Sequence, residues 1–286
     1  MKICSIVLNY RDAARTEACL YSLIGQGLHT VLVVDNSNDE RAANELKEML
    51  ARQSVLVDYA LHLLNPGMNL GFARGINFAL NDDAARECDA FLLINNDAVA
   101  LPGMVEHLAV ALTDTNSLMA APKIVNAAGK TIPMFWYQRY FGLLTTRQLP
   151  GSFPYLSGCC LLVRREVLSG GKLLDEDFFM YGEDTLLGWR LAQAGKMPLL
   201  LEDAVARHDG TGSSQRGQMF YEYHMARAHI LLATKTWRYS LEIPFMLISK
   251  TGVLGMRALW RSLYFRSVVP LKAFFRAWRA LNVRVP

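Results

Sequence analysis

Phe91-Leu92-Leu93-Ile94-Asn95-Asn96-Asp97 decides how this chain is read: an apolar run stops abruptly at two amides and a carboxylate. A short apolar run bounded by polar residues reads as a strand in the middle of a sheet. In open α/β sheets the residues just past the carboxyl ends of the strands line the ligand crevice. That position lets Asp97 hold a hard divalent cation through oxygen. An Asx turn capping the next helix explains the same residues, because Asn and Asp favour turns. The remainder of the chain has to decide between the two.

On either side of this run, strand-like and helix-like stretches alternate. Residues 3–8 read as a first strand and 12–24 as a helix begun by an Asp12 cap. A second strand at 30–34 ends in Asp35-Asn36-Ser37, and a helix follows over 40–53. A third strand is expected within 55–64, a helix over 70–80 behind a Gly-rich turn, and a fourth strand at 90–94. Pro102 is expected to open the next helix. This alternation predicts βαβ units and a largely parallel sheet over residues 1–125, an α/β class. Residues 126–153 read as a loop-rich aromatic insertion, 155–163 as a strand, 182–194 as a helix closed by Gly195, and 198–201 as a short strand. A polar loop over 207–217 precedes a helix at 218–234.

Composition sets the bounds. The 286 residues, 52% hydrophobic and 20% charged, suffice for one large domain or a domain plus an appendage, and exclude global disorder. The five cysteines are odd in number, two are adjacent, and none forms a CxxC pair. That pattern is neither a disulfide framework nor a zinc site, and it points to buried free thiols in a reducing compartment. Residues 3–8 are followed at once by Asn9, Arg11 and Asp12 with no cleavage site, so no signal peptide is expected. No run reaches the roughly 18 apolar residues of a membrane span. A cytoplasmic protein is the expectation.

The net charge of +4 conceals an asymmetry: residues 235–286 carry ten basic residues against Glu242 alone, and 1–234 carry the excess of acid. In that tail Arg257, Arg261, Arg266, Lys272, Arg276 and Arg279 alternate with Leu259, Trp260, Leu263, Phe274 and Trp278. A basic amphipathic helix of this kind lies on an anionic membrane surface. A nucleic-acid partner lacks any accompanying recognition motif, and none is expected. A partner-binding or dimerisation helix is the remaining alternative.

Three strand ends, Asn9-Tyr10, Asp35-Asn36-Ser37 and Asn95-Asn96-Asp97, meet along one edge if their strands are parallel. Asp35 there accepts hydrogen bonds from a nucleotide, or else caps the next helix. In Asn69-Leu70-Gly71-Phe72-Ala73-Arg74-Gly75-Ile76-Asn77 the glycines permit close backbone approach, and a helix N-terminus favours a diphosphate. Glu183 and Asp184 stand at a helix start, where acids also meet the helix dipole favourably. A general base is the functional alternative, with the sign of its pKa shift open. His208 is followed by Thr211, Ser213 and Ser214, hydroxyls suited to phosphate oxygens.

Together these segments, with Leu156-Ser157-Gly158, resemble the family 2 glycosyltransferases, in particular their bacterial rhamnosyltransferase-like branch, over residues 3–230. The resemblance implies a GT-A fold, a mixed and mainly parallel sheet flanked by helices. It implies a nucleotide-sugar-binding half at 1–125, an acceptor and catalytic half at 126–234, and a membrane-associating tail at 235–286. The donor site would comprise Asn9, Tyr10, Asp35, Asn36, Asn69, Gly71, Phe72, Gly75, Asn77, Asn95 and Asn96. Asp97, closing a DxD-like motif, and His208 would bind Mg2+ or Mn2+. Asp184, with Glu183 beside it, would be the catalytic base. Trp189, Arg190, Ser157, Gly158 and Ser213 would line an acceptor or diphosphate pocket. The implied reaction is inverting transfer from dTDP-rhamnose or a UDP-sugar to a saccharide or polyprenyl-diphosphate-linked acceptor. Its setting would be cell-surface polysaccharide or O-antigen synthesis, on the inner face of the cytoplasmic membrane. Asn95 replaces the first Asp of the metal motif, and the Gln-x-x-Arg-Trp motif of processive synthases is absent. A non-catalytic nucleotide-sugar-binding scaffold and a sugar-phosphate nucleotidyltransferase are the competing readings. The latter wants a Gly-rich, basic loop after the first strand, where Asn9-Tyr10-Arg11-Asp12 stands instead.

Overall fold

The computed structural model describes residues 1–208 and 216–280. In chain order the elements are β1 (Ile3–Asn9), α1 (Ala13–Ser22), β2 (Thr30–Asp35), α2 (Glu40–Gln53), β3 (Ala60–Leu64), α3 (Gly71–Leu80), α4 (Asp83–Arg86) and β4 (Ala90–Asn95). They continue with β5 (Ala98–Ala100), α5 (Met104–Asp114), β6 (Met119–Val125), β7 (Thr131–Ile132), β8 (Phe135–Gln138), β9 (Leu143–Thr145), β10 (Ser152–Tyr155) and β11 (Cys160–Arg164). The last are α6 (Glu183–Gln193), β12 (Leu199–His208), α7 (Met219–Lys235), α8 (Glu242–Tyr264) and α9 (Val269–Arg279).

The large sheet runs β3-β2-β1-β4-β11-β6-β12-β5, with β7 on β6. Its β3-β2-β1-β4 half is parallel, as the alternation predicts. β11 then pairs antiparallel with both β4 and β6. The run 91–94 is apolar throughout because both faces of β4 are covered. Leu92 and Ile94 join one core beneath α1, α2 and α5, and Phe91 and Leu93 join another beneath α3 and α6.

Several boundaries shift. The third strand begins only at Ala60. Pro102 stands outside α5, which Gly103 precedes. The expected strand at 155–163 is two strands, β10 and β11, parted by residues 156–159. Residues 198–201 are the start of the ten-residue β12, whose pairing with β6 is broken between Leu201 and Val205. The aromatic insertion is loop-rich as expected, but its short strands also build the antiparallel sheet β10-β8-β9. Tyr137, Phe153 and Tyr155 on it pack on Leu186 and Trp189 of α6 and on Leu231 and Leu232 of α7.

The tail is not a lone helix. α8 and α9 pack on α7 through Ile230, Leu254, Ala258, Phe274 and Ala277. Glu222 of α7 and Arg261 of α8, both buried, form a two-pronged ion pair inside this bundle. The five cysteines are all buried and free, as expected. No described helix is long and apolar enough to cross a membrane.

Removing one partner of a buried pair leaves the other charge uncompensated. Arg261→Ala should therefore destabilise the chain by about 3–5 kcal/mol in urea titration. A loss below about 1 kcal/mol would mean that solvent, not Arg261, satisfies Glu222.

Candidate active site

The parallel register sets Asn9 beside Asp35 and Leu8 beside Asn95, so the three polar clusters do meet at one edge. Asn9 is fully buried and acts as the hub. Its side-chain carbonyl accepts from the Thr16 hydroxyl (2.9 Å), and its amide donates to Asp35 Oδ1 (3.3 Å) and Ser37 Oγ (3.2 Å). Asp35 Oδ1 also accepts from the Ser37 amide, and Asn96 Nδ2 donates to Thr16 Oγ1. The alternative role of Asp35 as helix cap falls to Asp39, which accepts from Ala42 N. Tyr10 is exposed at the rim beside Arg11, whose φ of 55° is unusual for a residue with a Cβ. Asn38 and Tyr181, at the same end of the fold, share this left-handed backbone. Such strain gathers at ligand sites, and Arg11 is a rim residue that sequence reading passed over.

The Gly-rich turn is held by protein rather than left open. Asn36 donates to the Gly71 carbonyl and accepts from Leu70 N, while Asn69 Oδ1 accepts from Gly71 N. Phe72 N donates to the Phe179 carbonyl at 2.8 Å. Gly71 has φ +72°, and a Cβ there would stand 2.3 Å from that carbonyl oxygen. Two of the first amides of α3 are thus committed to Asn69 and Phe179, not to a diphosphate. Gly75 lets α3 approach Asn36 and Leu8 closely. Asn77 is buried, with its amide bonded to the backbone of Leu173 and Leu174 and to Glu176. It anchors the segment leading to Asp184 and does not face the crevice.

Asp97 stands with Asn96 in the tight turn from β4 to β5. The antiparallel pairing of β5 with β12 sets His208 opposite Ala98 and hence beside Asp97. His208 Nε2 lies 3.0 Å from Asp97 Oδ1. His208 is therefore the last residue of a strand, not part of a loop. Burial pushes the Asp97 carboxyl up, but the His208 hydrogen bond and the nearby positive charges hold it below the usual range. Ser213, Thr211 and Ser214 lie outside the described residues.

Asp184 stands in the first turn of α6, after Gly182 at φ +92°. Its Oδ2 accepts from Gly158 N (3.1 Å) and its Oδ1 from Thr185 N (2.6 Å) and Thr185 Oγ1 (3.2 Å). Burial raises its pKa against those hydrogen bonds, which resolves the sign left open by sequence. Cys159 feels both carboxylates. Its thiol, which bonds Ser157, is pushed up to about 12 by burial and then by the charges of Asp97 and Asp184. Its carbonyl accepts from Asn95 N. The 157–159 turn thus brings Asp184 to the end of β4. Glu183 is buried with Oε2 unpartnered, and burial beside Asp184 pushes it up to about 8.

Trp189 and Arg190 do not join this group. Trp189 is buried against Phe153, with ring centroids 5.2 Å apart. Arg190 donates to the carbonyls of Leu173 and Val167.

The sequence profile of glycosyl transferase family 2 matches residues 4–171. The chain belongs to that family. Two curated relatives of this family 2 chain carry informative names. The low-salt glycan biosynthesis hexosyltransferase Agl10 of Haloferax volcanii is 27% identical over 193 residues, 63% of this chain and 58% of that protein. The N-acetylglucosaminyl-diphospho-decaprenol L-rhamnosyltransferase of Mycobacterium tuberculosis is 36% identical over 91 residues, 30% of each. The chain thus matches less than two thirds of the length of either. Among solved structures, the mannosyltransferase PcManGT from Pyrobaculum calidifontis, in complex with GDP-Man and Mn2+, aligns with a TM-score of 0.58 at 15% identity, over 98% of this chain and 86% of that one. TarS 1-349 of S. aureus with UDP-GlcNAc aligns at 0.61 and 16%, over 100% and 82%. At such identities the likeness establishes the fold: mixed α/β, of the GT-A kind.

Among the described residues no cluster of three His, Cys, Asp or Glu side chains is set to hold a metal. The Asp97–His208 pair nevertheless fits a divalent cation whose remaining ligands are phosphate oxygens and water.

Glu183 gives a test that needs no substrate. Its ordinary pKa is about 4.3. The stability that its neutral form contributes is complete below that value and is lost as pH rises towards 8. Glu183→Gln cannot ionise, so its melting temperature relative to wild type should climb between about pH 5 and pH 8. A constant difference across that window would show that Glu183 is not held neutral.

Proposed function

We propose that the chain is an inverting glycosyltransferase that moves a sugar from a nucleoside diphosphate donor to a hydroxyl of a saccharide or lipid-linked acceptor. The observation that carries this is the gathering of Asp184 and the Asp97–His208 pair around Cys159 at the end of β4. The 157–159 turn clasps Asp184 and the end of β4 together, while β5–β12 pairing sets His208 beside Asp97, which favours one reaction centre over separate structural roles.

In this reading Asp184 takes the proton of the acceptor hydroxyl as that oxygen attacks the anomeric carbon. The new carbon–oxygen bond forms as the bond to the diphosphate breaks, and the electron pair leaves with the diphosphate. Gly158 and Thr185 hold the carboxylate in one orientation throughout. Burial makes it a stronger base than an exposed aspartate. Mg2+ or Mn2+ held by Asp97 and His208 would supply charge neutralisation for the diphosphate. Asn9, Asp35 and Ser37 form the rigid floor beneath the nucleotide, with Tyr10 and Arg11 at its rim. A rhamnose-type donor is favoured by the name of the mycobacterial relative, which also names a polyprenyl-linked acceptor.

A lipid-linked acceptor calls for a membrane surface, and α8 offers one. Leu241, Phe245, Ile248, Met256, Leu259, Trp260, Leu263 and Tyr264 are exposed at helical spacing, while Met246, Leu254 and Ala258 face inward. Arg266, Lys272, Arg276 and Arg279 are exposed nearby. An outward apolar stripe flanked by cations suits an anionic membrane interface.

Asp184→Asn should retain donor binding and lose at least about 100-fold in transfer rate. The wild-type rate should fall on acidification with a midpoint above about 4, the ordinary aspartate value. Transfer within about tenfold of wild type in the variant would remove Asp184 from the base role. For the surface, Leu259→Ser/Trp260→Ser/Leu263→Ser should abolish co-sedimentation with phosphatidylserine vesicles and leave the fold intact. Equal sedimentation of variant and wild type would rule out α8 as the contact.

A further inference from the structure

Trp189 and Arg190, set apart from the transfer centre, line a different hollow. It is an open cleft of about 610 Å³ bounded by Leu186, Trp189, Arg190 and Gln193 of α6, Thr234 and Lys235 of α7, and Asp175 and Trp237. At 100° per residue its four α6 residues fall about 140–240° round the helix from Asp184. The cleft therefore lies across α6 from the catalytic carboxylate.

Its chemistry is specific. Trp237 is 42% exposed, and its indole N–H donates to the Thr234 carbonyl at 3.1 Å, which fixes the ring with a broad apolar surface towards solvent. Gln193 is exposed, and its amide has no hydrogen-bond partner among the described residues. The cations of the cleft are already engaged. Lys235 pairs with Asp175 (2.8 Å) and Asp177 (2.7 Å), and the Arg190 guanidinium caps two carbonyls. A phosphate would have to displace these partners. A neutral ligand with one flat C–H face and a ring of hydroxyls would not. It could stack on Trp237 while its hydroxyls meet Gln193 and Asp175. Clefts of a few hundred Å³ with an aromatic wall and a few convergent polar groups are the usual form of small-ligand sites.

We propose that this cleft is a second saccharide-binding site that holds a neutral stretch of glycan away from the transfer centre. That the glycan belongs to the acceptor rests on the glycosyltransferase reading; the binding itself does not.

The test titrates the full chain with neutral di- to tetrasaccharides of rhamnose, mannose and galactose, followed by calorimetry and saturation-transfer NMR. Wild type and Asp184→Asn should bind one of these equally. Trp237→Ala, a change at the surface, should bind it at least about tenfold more weakly, with Gln193→Ala reproducing part of the loss. Inorganic phosphate should not compete. Three results each overturn the proposal: no oligosaccharide binds wild type, Trp237→Ala binds like wild type, or phosphate displaces the sugar. If no donor is turned over but saccharide still binds through Trp237, the glycosyltransferase reading fails and this site stands.

Discussion

A fully buried amide at the end of β1 has to find all its hydrogen bonds inside the protein, and Asn9 does so by tying the ends of β1 and β2 to α1. The cost of leaving such a group unpaired is about 1–3 kcal/mol, so the positions of Thr16, Asp35 and Ser37 are not free to drift. Through Thr16 the same network reaches Asn96, and so the turn that aims Asp97. The crevice is therefore a rigid floor. The groups proposed for chemistry stand on it rather than belong to it, which separates Asp97, His208 and Asp184 from the amides and hydroxyls beneath them.

Asp184 reaches this floor from a distant part of the chain through two clasps. One is the Gly158 amide on its carboxylate. The other is the Phe179 carbonyl on the amide of Phe72, where only a glycine at position 71 leaves room. The glycine-rich turn thus joins the two halves of the site. Its sequence looks like a phosphate cradle because both uses require the same thing, a backbone without a side chain in the way.

The parallel half of the sheet was legible because β1, β2 and β4 are covered on both faces and so read as mostly apolar runs. The small sheet β10-β8-β9 was not, since strands of three or four residues have too little periodicity to stand out from loop. The edge at which the three polar strand ends of the candidate site meet was legible. The partners of individual residues were not: the Asp97–His208 contact depends on pairing between β5 and β12, and the roles of Asn77 and Arg190 depend on backbone from residues 167–176. Trp189 and Arg190 follow Asp184 closely in sequence, yet helical geometry turns them to the far side of α6. Closeness along the chain and closeness in the site are different properties on a helix.

The end of β4 is proposed to be a cation-assisted nucleotide-sugar site built on Asp97 and His208. Calorimetric titration of nucleotide sugars in Mn2+, with wild type and Asp97→Ala, tests it most directly. One nucleotide sugar should bind wild type in a Mn2+-dependent way and bind Asp97→Ala at least about tenfold more weakly, with the Mn2+ dependence gone. Binding that is equal in the two proteins, or indifferent to Mn2+ in both, would contradict it.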